Sequence, residues 1–269
     1  MPELPEMENY RRLLSGLIVN RLITETEVTR EKSINIESQR FERLLRGQSI
    51  RQVERRAKYL LFTLTSGETL VLHLMLGGIL FYGTEAEKPE RTVQVRIGFG
   101  ERYLNFIGLR LGYLHVVEAG QLQPLFAKLG PEPFEPSFTE PAFTERLARR
   151  KGTLKSNLVD QSVLAGIGNC YSDEICFDAG LRPARKPASL QPVEFERLYL
   201  SMRRVLAEAT EFGGYMDMPL YPGDRLTGGF DSRCRVYDRE GEPCLRCGGT
   251  IVREDVSSKK SYCCPACQS

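Results

Sequence analysis

Residues 53–76 read VERRAKYLLFTLTSGETLVLHLML, and this stretch decides the fold of the N-terminal half. Apolar and polar residues alternate on both sides of Ser66-Gly67, the pattern of two half-buried strands joined by a tight turn. Downstream, VQVRIGFGERYLNFIG and GYLHVVEAG continue the alternation. Residues 20–118 are therefore expected to be mostly antiparallel β, with one short helix around Phe41 to Leu45. That many strands suit a sandwich or flattened barrel. Upstream, Met7, Tyr10, Leu13, Leu14 and Leu17 recur at helical spacing, with Gly16 near the end of the run, which predicts an N-terminal helix.

GPEPFEPSFTEP, with Pro131, Pro133, Pro136 and Pro141, reads as a domain linker. Beyond it the pattern is helical through FTERLARRK, LKSNLVDQ, NCYSDEICFDAG and PVEFERLYLSMRRVLAEATEF. Gly213 to Arg233, rich in Gly and Pro, reads as a long mobile loop, a feature that is often functional. The expected fold is α+β and multidomain. A β-sandwich with its N-terminal helix would occupy residues 1–130 and the linker 131–141. A helical domain would occupy 142–233 and a zinc-binding hairpin 234–269.

The chain has 269 residues, 41% hydrophobic and 27% charged, which is ordinary for a soluble globular protein. No apolar stretch is long enough to span a bilayer and no basic leader precedes an apolar core, so a cytoplasmic protein is expected. A net charge of +2 announces no polyanion partner by itself. Local charge says more: RLARRKGTLK, from Arg146 to Lys155, holds five basic residues and no acid, and Arg55, Arg56 and Lys58 form a second cluster. Either alone reads as a solvated face; with other nucleic-acid features they read as phosphate contacts. Only His73 and His115 are available as histidines, which disfavours histidine acid–base chemistry.

Of the local signals the cysteines are strongest. Cys244-Leu-Arg-Cys247 and Cys264-Pro-Ala-Cys267 stand sixteen residues apart, the spacing of a tetrathiolate zinc ribbon. One structural zinc ion is expected there, closed to water and supplying the folding free energy of a segment too small for its own core. Using the neighbouring Cys263 would break the CxxC spacing. Lys259 and Lys260 near the hairpin tip suit phosphate contact. In LKSNLVDQSVLAGIGNCYSDEICFDAGL, Gly166 and Gly168 permit a tight reversal between two helices, with Asn169 as the expected N-cap of the second. Lys151 and Lys155 precede this turn, and together these features point to backbone-directed DNA binding.

Pro2 becomes N-terminal once Met1 is removed. Its secondary amine can then condense with an aldehyde or with C1′ of a deoxyribose, the covalent strategy that lysine amines also use. Glu3 and Glu6 lie close enough to act as acids or bases, although Pro and Glu also simply favour helix starts.

PELPE at the N-terminus, RRAKYL, LGPEP, the GIGN turn and VYDREGEPCLRCGGTI…CPACQ, in that order through both halves, resemble the formamidopyrimidine-DNA glycosylase family of bifunctional repair enzymes. The resemblance implies base excision repair of double-stranded damaged DNA by a monomer, with the DNA in a cleft between the two domains. Oxidised purines would be excised first and the strand cleaved by elimination. It implies Pro2 as the nucleophile, Glu3 as the acid in base release, Glu6 as an assisting glutamate and Lys58 as a phosphate anchor linked to β-elimination. His73, Arg110, Lys151 and Asn169 would bind DNA, with Lys155 beside them, and Lys259 would serve the second elimination.

The sequence also departs from the family pattern. The side chains that fill the gap left by an extruded nucleotide are a methionine, an arginine and a phenylalanine in purine-directed members; here the positions hold Leu76, Leu109 and Leu111. Leucine wedges between bases but cannot hydrogen-bond the orphaned partner, so weaker opposite-base discrimination is expected. Lys259 stands where the family presents an arginine, and a lysine lacks its bidentate fork. A histidine of the family is also missing from ERTVQV. An endonuclease VIII-like enzyme for oxidised pyrimidines or abasic sites is therefore a rival reading, and a non-catalytic damaged-DNA-binding protein a second.

Overall fold

The computed structural model describes residues 1–269, which divide into two compact units: residues 1–127 with 212–229, and residues 128–211 with 230–269.

The first unit opens on helix α1 (Leu4–Leu17), whose face of Leu4, Met7, Tyr10 and Leu14 is buried. Strand β1 (Glu25–Val28) and helix α2 (Ser38–Leu45) follow. Then come β2 (Ile50–Arg56), β3 (Tyr59–Leu64), β4 (Thr69–His73), β5 (Ile79–Gly83), β6 (Val93–Gly98), β7 (Tyr103–Ile107) and β8 (Tyr113–Val117), and a short helix α3 (Leu122–Phe126). The strands form two four-stranded antiparallel sheets, ordered β2-β3-β4-β8 and β1-β6-β7-β5. Their inner faces meet through Leu60, Phe62, Leu70 and Leu72 on one side and Leu80, Val95, Leu104 and Phe106 on the other. Phe62 and Phe106 meet edge to face at 6.3 Å. Each such buried ring contributes about 2–3 kcal/mol by leaving water, so the expected sandwich forms because the alternation gives each strand one dry side.

Residues 53–76 hold three strand segments where the sequence suggested two. Besides the Ser66-Gly67 turn there is a two-residue hairpin at Ala57-Lys58, flanked by the pair Arg56–Tyr59. Ala57 takes a left-handed φ of +52°. Such turns are recognised by Asn-Gly or Asp-Gly, and Ala-Lys carries neither signal. A second difference concerns the Gly213–Arg233 loop, assigned to the helical domain and read as mobile: Phe212–Gly229 instead belongs to the first unit. The Tyr82 backbone amide donates to Leu220 O at 2.6 Å, the Asn9 side-chain Nδ2 to Thr227 Oγ1 at 2.7 Å, and Tyr10 Oη to Met218 O at 3.0 Å. Asp224 gathers the amides of Leu220, Leu226 and Thr227. The partners on α1 and β5 lie far away in sequence, so no local pattern reveals them.

The second unit comprises α4 (Glu140–Ala148), α5 (Leu154–Leu158), α6 (Asn169–Asp178), α7 (Pro192–Glu211) and the hairpin β9 (Val252–Val256) and β10 (Lys259–Cys263). The proline-rich segment expected as linker 131–141 is part of this unit rather than a tether. Pro131 O accepts from Ala165 N at 3.0 Å and Pro133 O from Arg203 at 2.8 Å. Helix α6 is its central strut, buried from Cys170 through Phe177. No helix in the chain is long and apolar enough to cross a membrane.

Candidate active site

The first turn of α1 is built by its own acids. Glu3 is the N-cap: its side chain accepts from the Glu6 amide while Glu6 Oε2 accepts from Glu3 N at 2.7 Å, a reciprocal capping box. Pro5 stands in the first turn, where a missing N–H costs nothing. Glu3 and Glu6 are each 2% exposed and Pro2 is buried beside them in sequence. The other carboxylate oxygen, Glu6 Oε1, accepts from Tyr215 N of the returning loop at 2.8 Å. Gly214 makes that approach possible, because a Cβ there would lie 2.2 Å from Glu6 Oε1.

Lys58 enters from the Ala57-Lys58 hairpin and is 5% exposed. Burial drives its ammonium pKa below the ordinary lysine value, while the Glu3 and Glu6 carboxylates pull it back up. The hairpin is pinned to α1 by Arg55, which donates to Ala57 O at 3.1 Å and to Glu8 Oε2 at 3.0 Å. Residues from opposite ends of the unit's sequence thus place two buried carboxylates and one buried amine at the helix start. Arg55, named from the sequence only as part of a basic cluster, is thus tied to Glu8 and Ala57 within the unit; Gly214 and Tyr215 escaped the sequence reading, and the glycine pairs bracketing the loop were the available signal.

His73, at the end of β4, stacks on Tyr59 at 4.3 Å. Burial, then the Lys58 ammonium, pull its pKa down to about 4. At neutral pH it is an uncharged imidazole, able to donate a hydrogen bond to a phosphate but not to form an ion pair.

Leu76 and Leu111, 67% and 63% exposed, stand on the β4–β5 and β7–β8 loops. With Arg110, Gly77 and Gly108 they line one groove of about 540 Å³. The loops touch backbone to backbone: at Gly108, φ +72°, a Cβ would lie 2.2 Å from Gly77 O. Leu109, expected as a third gap-filling side chain, is instead fully buried in the sandwich core. An apolar side chain at that position gains more from the core than from water, which an arginine would not.

In the second unit Lys151 and Asn169 are exposed, as phosphate contacts require. Gly168 rather than Asn169 is the N-cap of α6, and Asn169 is its first helical residue. Lys155, expected to bind DNA, is wholly buried in an ion pair with Asp173 at 2.8 Å and is not available to a ligand. Lys259 is half-buried at the start of β10, after a turn in which Ser257 and Ser258 both have positive φ.

Cys244, Cys247, Cys264 and Cys267 bring their sulfurs within 4.8 Å of one another. Cys244–Cys267 and Cys247–Cys264 are 3.8 and 3.5 Å apart. A tetrahedron of thiolates at about 2.3 Å from zinc has edges of about 3.8 Å, so the four residues fit that ion. Cys263 is buried outside the cluster, as its spacing implied.

Comparison with known proteins agrees with this arrangement. The profile of the formamidopyrimidine-DNA glycosylase N-terminal domain matches residues 1–113, that of its H2TH domain residues 129–217, and that of a zinc finger found in FPG and IleRS residues 241–269. Formamidopyrimidine-DNA glycosylases of Desulfitobacterium hafniense and Thermus thermophilus are 38% and 39% identical to the chain, covering all of it and 100% and 98% of themselves. Among solved structures, the Lactococcus lactis enzyme bound to oxidised-pyrimidine DNA aligns with TM-score 0.92 at 30% identity over the whole of both chains. The same enzyme bound to abasic-site DNA aligns with TM-score 0.92 at 30% identity over 99% of each. A sandwich with a buried acid–amine cluster, a helix–two-turn–helix unit and a zinc finger define a DNA-repair glycosylase. The chain belongs to the formamidopyrimidine-DNA glycosylase family.

Proposed function

We propose that the protein is a bifunctional DNA glycosylase and abasic-site lyase acting on oxidised purines of the formamidopyrimidine and 8-oxoguanine type. Removal of Met1 frees the Pro2 amine, which attacks C1′ of the damaged nucleotide. The N–C1′ bond forms as the glycosidic bond breaks, and the departing base takes the electron pair and a proton from the Glu3 carboxyl. The amine then loses its proton and the C1′–O4′ bond breaks, O4′ taking a proton as the ring opens to an iminium; this drains electrons from the sugar, so a C2′ proton is lost and the C3′–O bond breaks, releasing the 3′ phosphate. Lys58 anchors phosphate beside this centre and Glu6 holds the returning loop to the helix start. Lys151, Asn169, Arg110 and neutral His73 take further phosphates, and Lys259 assists loss of the second one. One zinc ion, held by four thiolates, keeps the hairpin folded and takes no part in the reaction. The protein works as a monomer.

The observation that carries this reading is the grouping of Glu3, Glu6 and Lys58, all at most 5% exposed and electrostatically coupled, at the helix start that directly follows Pro2 in the chain. Burying three ionisable side chains together carries a desolvation cost that pairing and hydrogen bonds only partly offset, and such clusters concentrate at functional sites. Borohydride trapping on abasic duplex DNA tests it. Processed, zinc-loaded protein should form a covalent adduct and protein retaining Met1 should not; no adduct from the processed form leaves only a DNA-binding module.

A second reading, preference for oxidised pyrimidines, is favoured by the gap-filling loops, where two exposed leucines remain and the neighbouring Arg110 is assigned to a phosphate rather than to the orphaned base. The relative solved with oxidised-pyrimidine DNA shares the scaffold. Trapping on 8-oxoguanine against 5-hydroxyuracil duplexes separates the two. Placing one lesion opposite each of the four bases tests discrimination, and a strong preference for cytosine would contradict the leucine argument.

A further inference from the structure

The root of the zinc hairpin contains ions where an ordinary core would hold hydrocarbon. Lys155 on α5 and Asp173 on α6 are both fully excluded from water and pair at 2.8 Å. The Lys155 ammonium also donates to Asn169 O at 2.7 Å. The Asp173 carboxylate also accepts from Ser261 Oγ at 2.6 Å and from Tyr262 N at 3.0 Å, both on β10. One residue on, Glu174, 2% exposed, accepts from three successive amides at the entrance to the hairpin. These are Arg235 at 2.8 Å, Val236 at 2.9 Å and Tyr237 at 2.8 Å.

A buried ion pair is an inefficient source of stability, because desolvation offsets most of the attraction and packed apolar residues do as well. What it provides is a directional joint. Asp173 on α6 bonds the hairpin strand that begins at Lys259, and Lys155 on α5 ties Asp173 to the carbonyl of Asn169, the first residue of α6. Ser261 is two residues from Lys259, so its side chain falls on the same face of β10.

We propose that Lys155, Asp173 and Ser261 are positioning residues for phosphate binding: they register β10, and with it Lys259, against Asn169, so that hairpin and helix start close on the DNA backbone as one clamp. The inference rests on the reading above that Asn169 and Lys259 take phosphates. It assigns Lys155 a role that needs no contact with DNA. The zinc holds the hairpin's own ends together; the buried joint aims it.

The test is the salt dependence of binding to a lesion-containing duplex, using full-length, zinc-loaded protein. Each phosphate contact contributes about 0.9 to the slope of log K against log[salt]. Ser261→Ala removes one hydroxyl and no charge; it should flatten the slope by about one contact and weaken binding about fivefold. Zinc content should stay at that of the wild type, and Ser261→Thr, which keeps the hydroxyl, should restore the slope. Asp173→Asn should flatten it further, and if that variant fails to fold, the Ser261 pair decides alone. Lys259→Ala, which removes a charge, runs alongside as the reference for the slope, and Asn169→Ala, which removes none, as the reference for affinity at fixed salt. If Lys259→Ala flattens the slope and Ser261→Ala does not, the joint does not aim the hairpin. Loss of zinc from Ser261→Ala would likewise overturn the proposal, since collapse and not register would then explain the effect. If Lys259→Ala leaves the slope and Asn169→Ala the affinity unchanged, the phosphate reading itself falls, a result distinct from failure of the joint.

Discussion

A single methyl group placed on the returning loop should displace the Glu6 carboxylate from the helix start. In Gly214→Ala the new Cβ would lie 2.2 Å from Glu6 Oε1 and 2.7 Å from its Cδ, at a backbone φ of +80°. The left-handed conformation costs an alanine about 1–2 kcal/mol. The clash is with the end of a side chain, so relief comes from Glu6 withdrawing by about 1 Å to ordinary contact distance. Glu6 is 2% exposed and has little room. Withdrawal breaks its 2.8 Å hydrogen bond from Tyr215 N, a charge-assisted bond whose loss costs about 1.5–3 kcal/mol. The sum is about 2.5–5 kcal/mol. Gly223→Ala supplies the control, because Gly223 sits in the same loop at φ +89° with no atom within 4 Å of its Cβ position. It should show backbone strain alone, about 1–2 kcal/mol. Urea unfolding of both variants measures the difference, and single-turnover base release measures its chemical consequence, a loss of about a hundredfold expected for Gly214→Ala alone. Equal stability and equal rates for the two variants would refute the claim that Gly214 exists to admit the glutamate.

Other consequences can be measured independently. Because the Glu3 carboxylate raises the depressed pKa of Lys58, Glu3→Gln should move the Lys58 limb of the pH–elimination profile on preformed abasic DNA to still lower pH; an unmoved limb contradicts the electrostatic coupling. His73 has a native pKa of about 4 against an ordinary 6.5, so between those values the unfolded chain binds a proton that the native protein refuses. Stability should therefore fall as pH drops from 6.5 towards 4, by up to about 3 kcal/mol from this residue. His73→Phe should remove that component of the pH dependence, and an identical profile would show that the imidazole is not desolvated. Leu109→Ala should cost about 2–5 kcal/mol in urea unfolding as a core cavity. Leu111→Ala should leave stability nearly unchanged but slow base release from duplex DNA; the opposite pattern would exchange their roles. Chelation of the zinc should abolish amide protection in residues 244–267 and weaken DNA binding, while protection in β3, β4 and β7 persists; retained hairpin protection would show that the metal is dispensable.

Period-two alternation from Val53 onwards, helical spacing in Met7, Tyr10 and Leu14, and paired CxxC motifs each express a physical requirement within a few residues. A strand must dry one face, a helix one stripe, and a zinc ion needs two thiolates per knuckle. Sequence alone therefore determined the sandwich, the helical second half, the four ligands and the acids at the helix start. It also supplied Lys58 through its motif, though not the two-residue hairpin that presents it, because Ala-Lys has no turn signature and Ala57 adopts +52° under tertiary constraint. Tertiary structure alone decided which basic and apolar side chains face water. Lys155 and Lys151 look alike in a basic run, and only the Asp173 carboxylate, eighteen residues on, separates a buried joint from an exposed contact. Leu109 and Leu111 are one residue type two positions apart, yet one fills the core and the other stands in solvent. The returning loop belongs to the first unit through bonds that span more than two hundred residues. Burial and long-range hydrogen bonding depend on what the chain brings together in space, and that information is not local to any stretch of it.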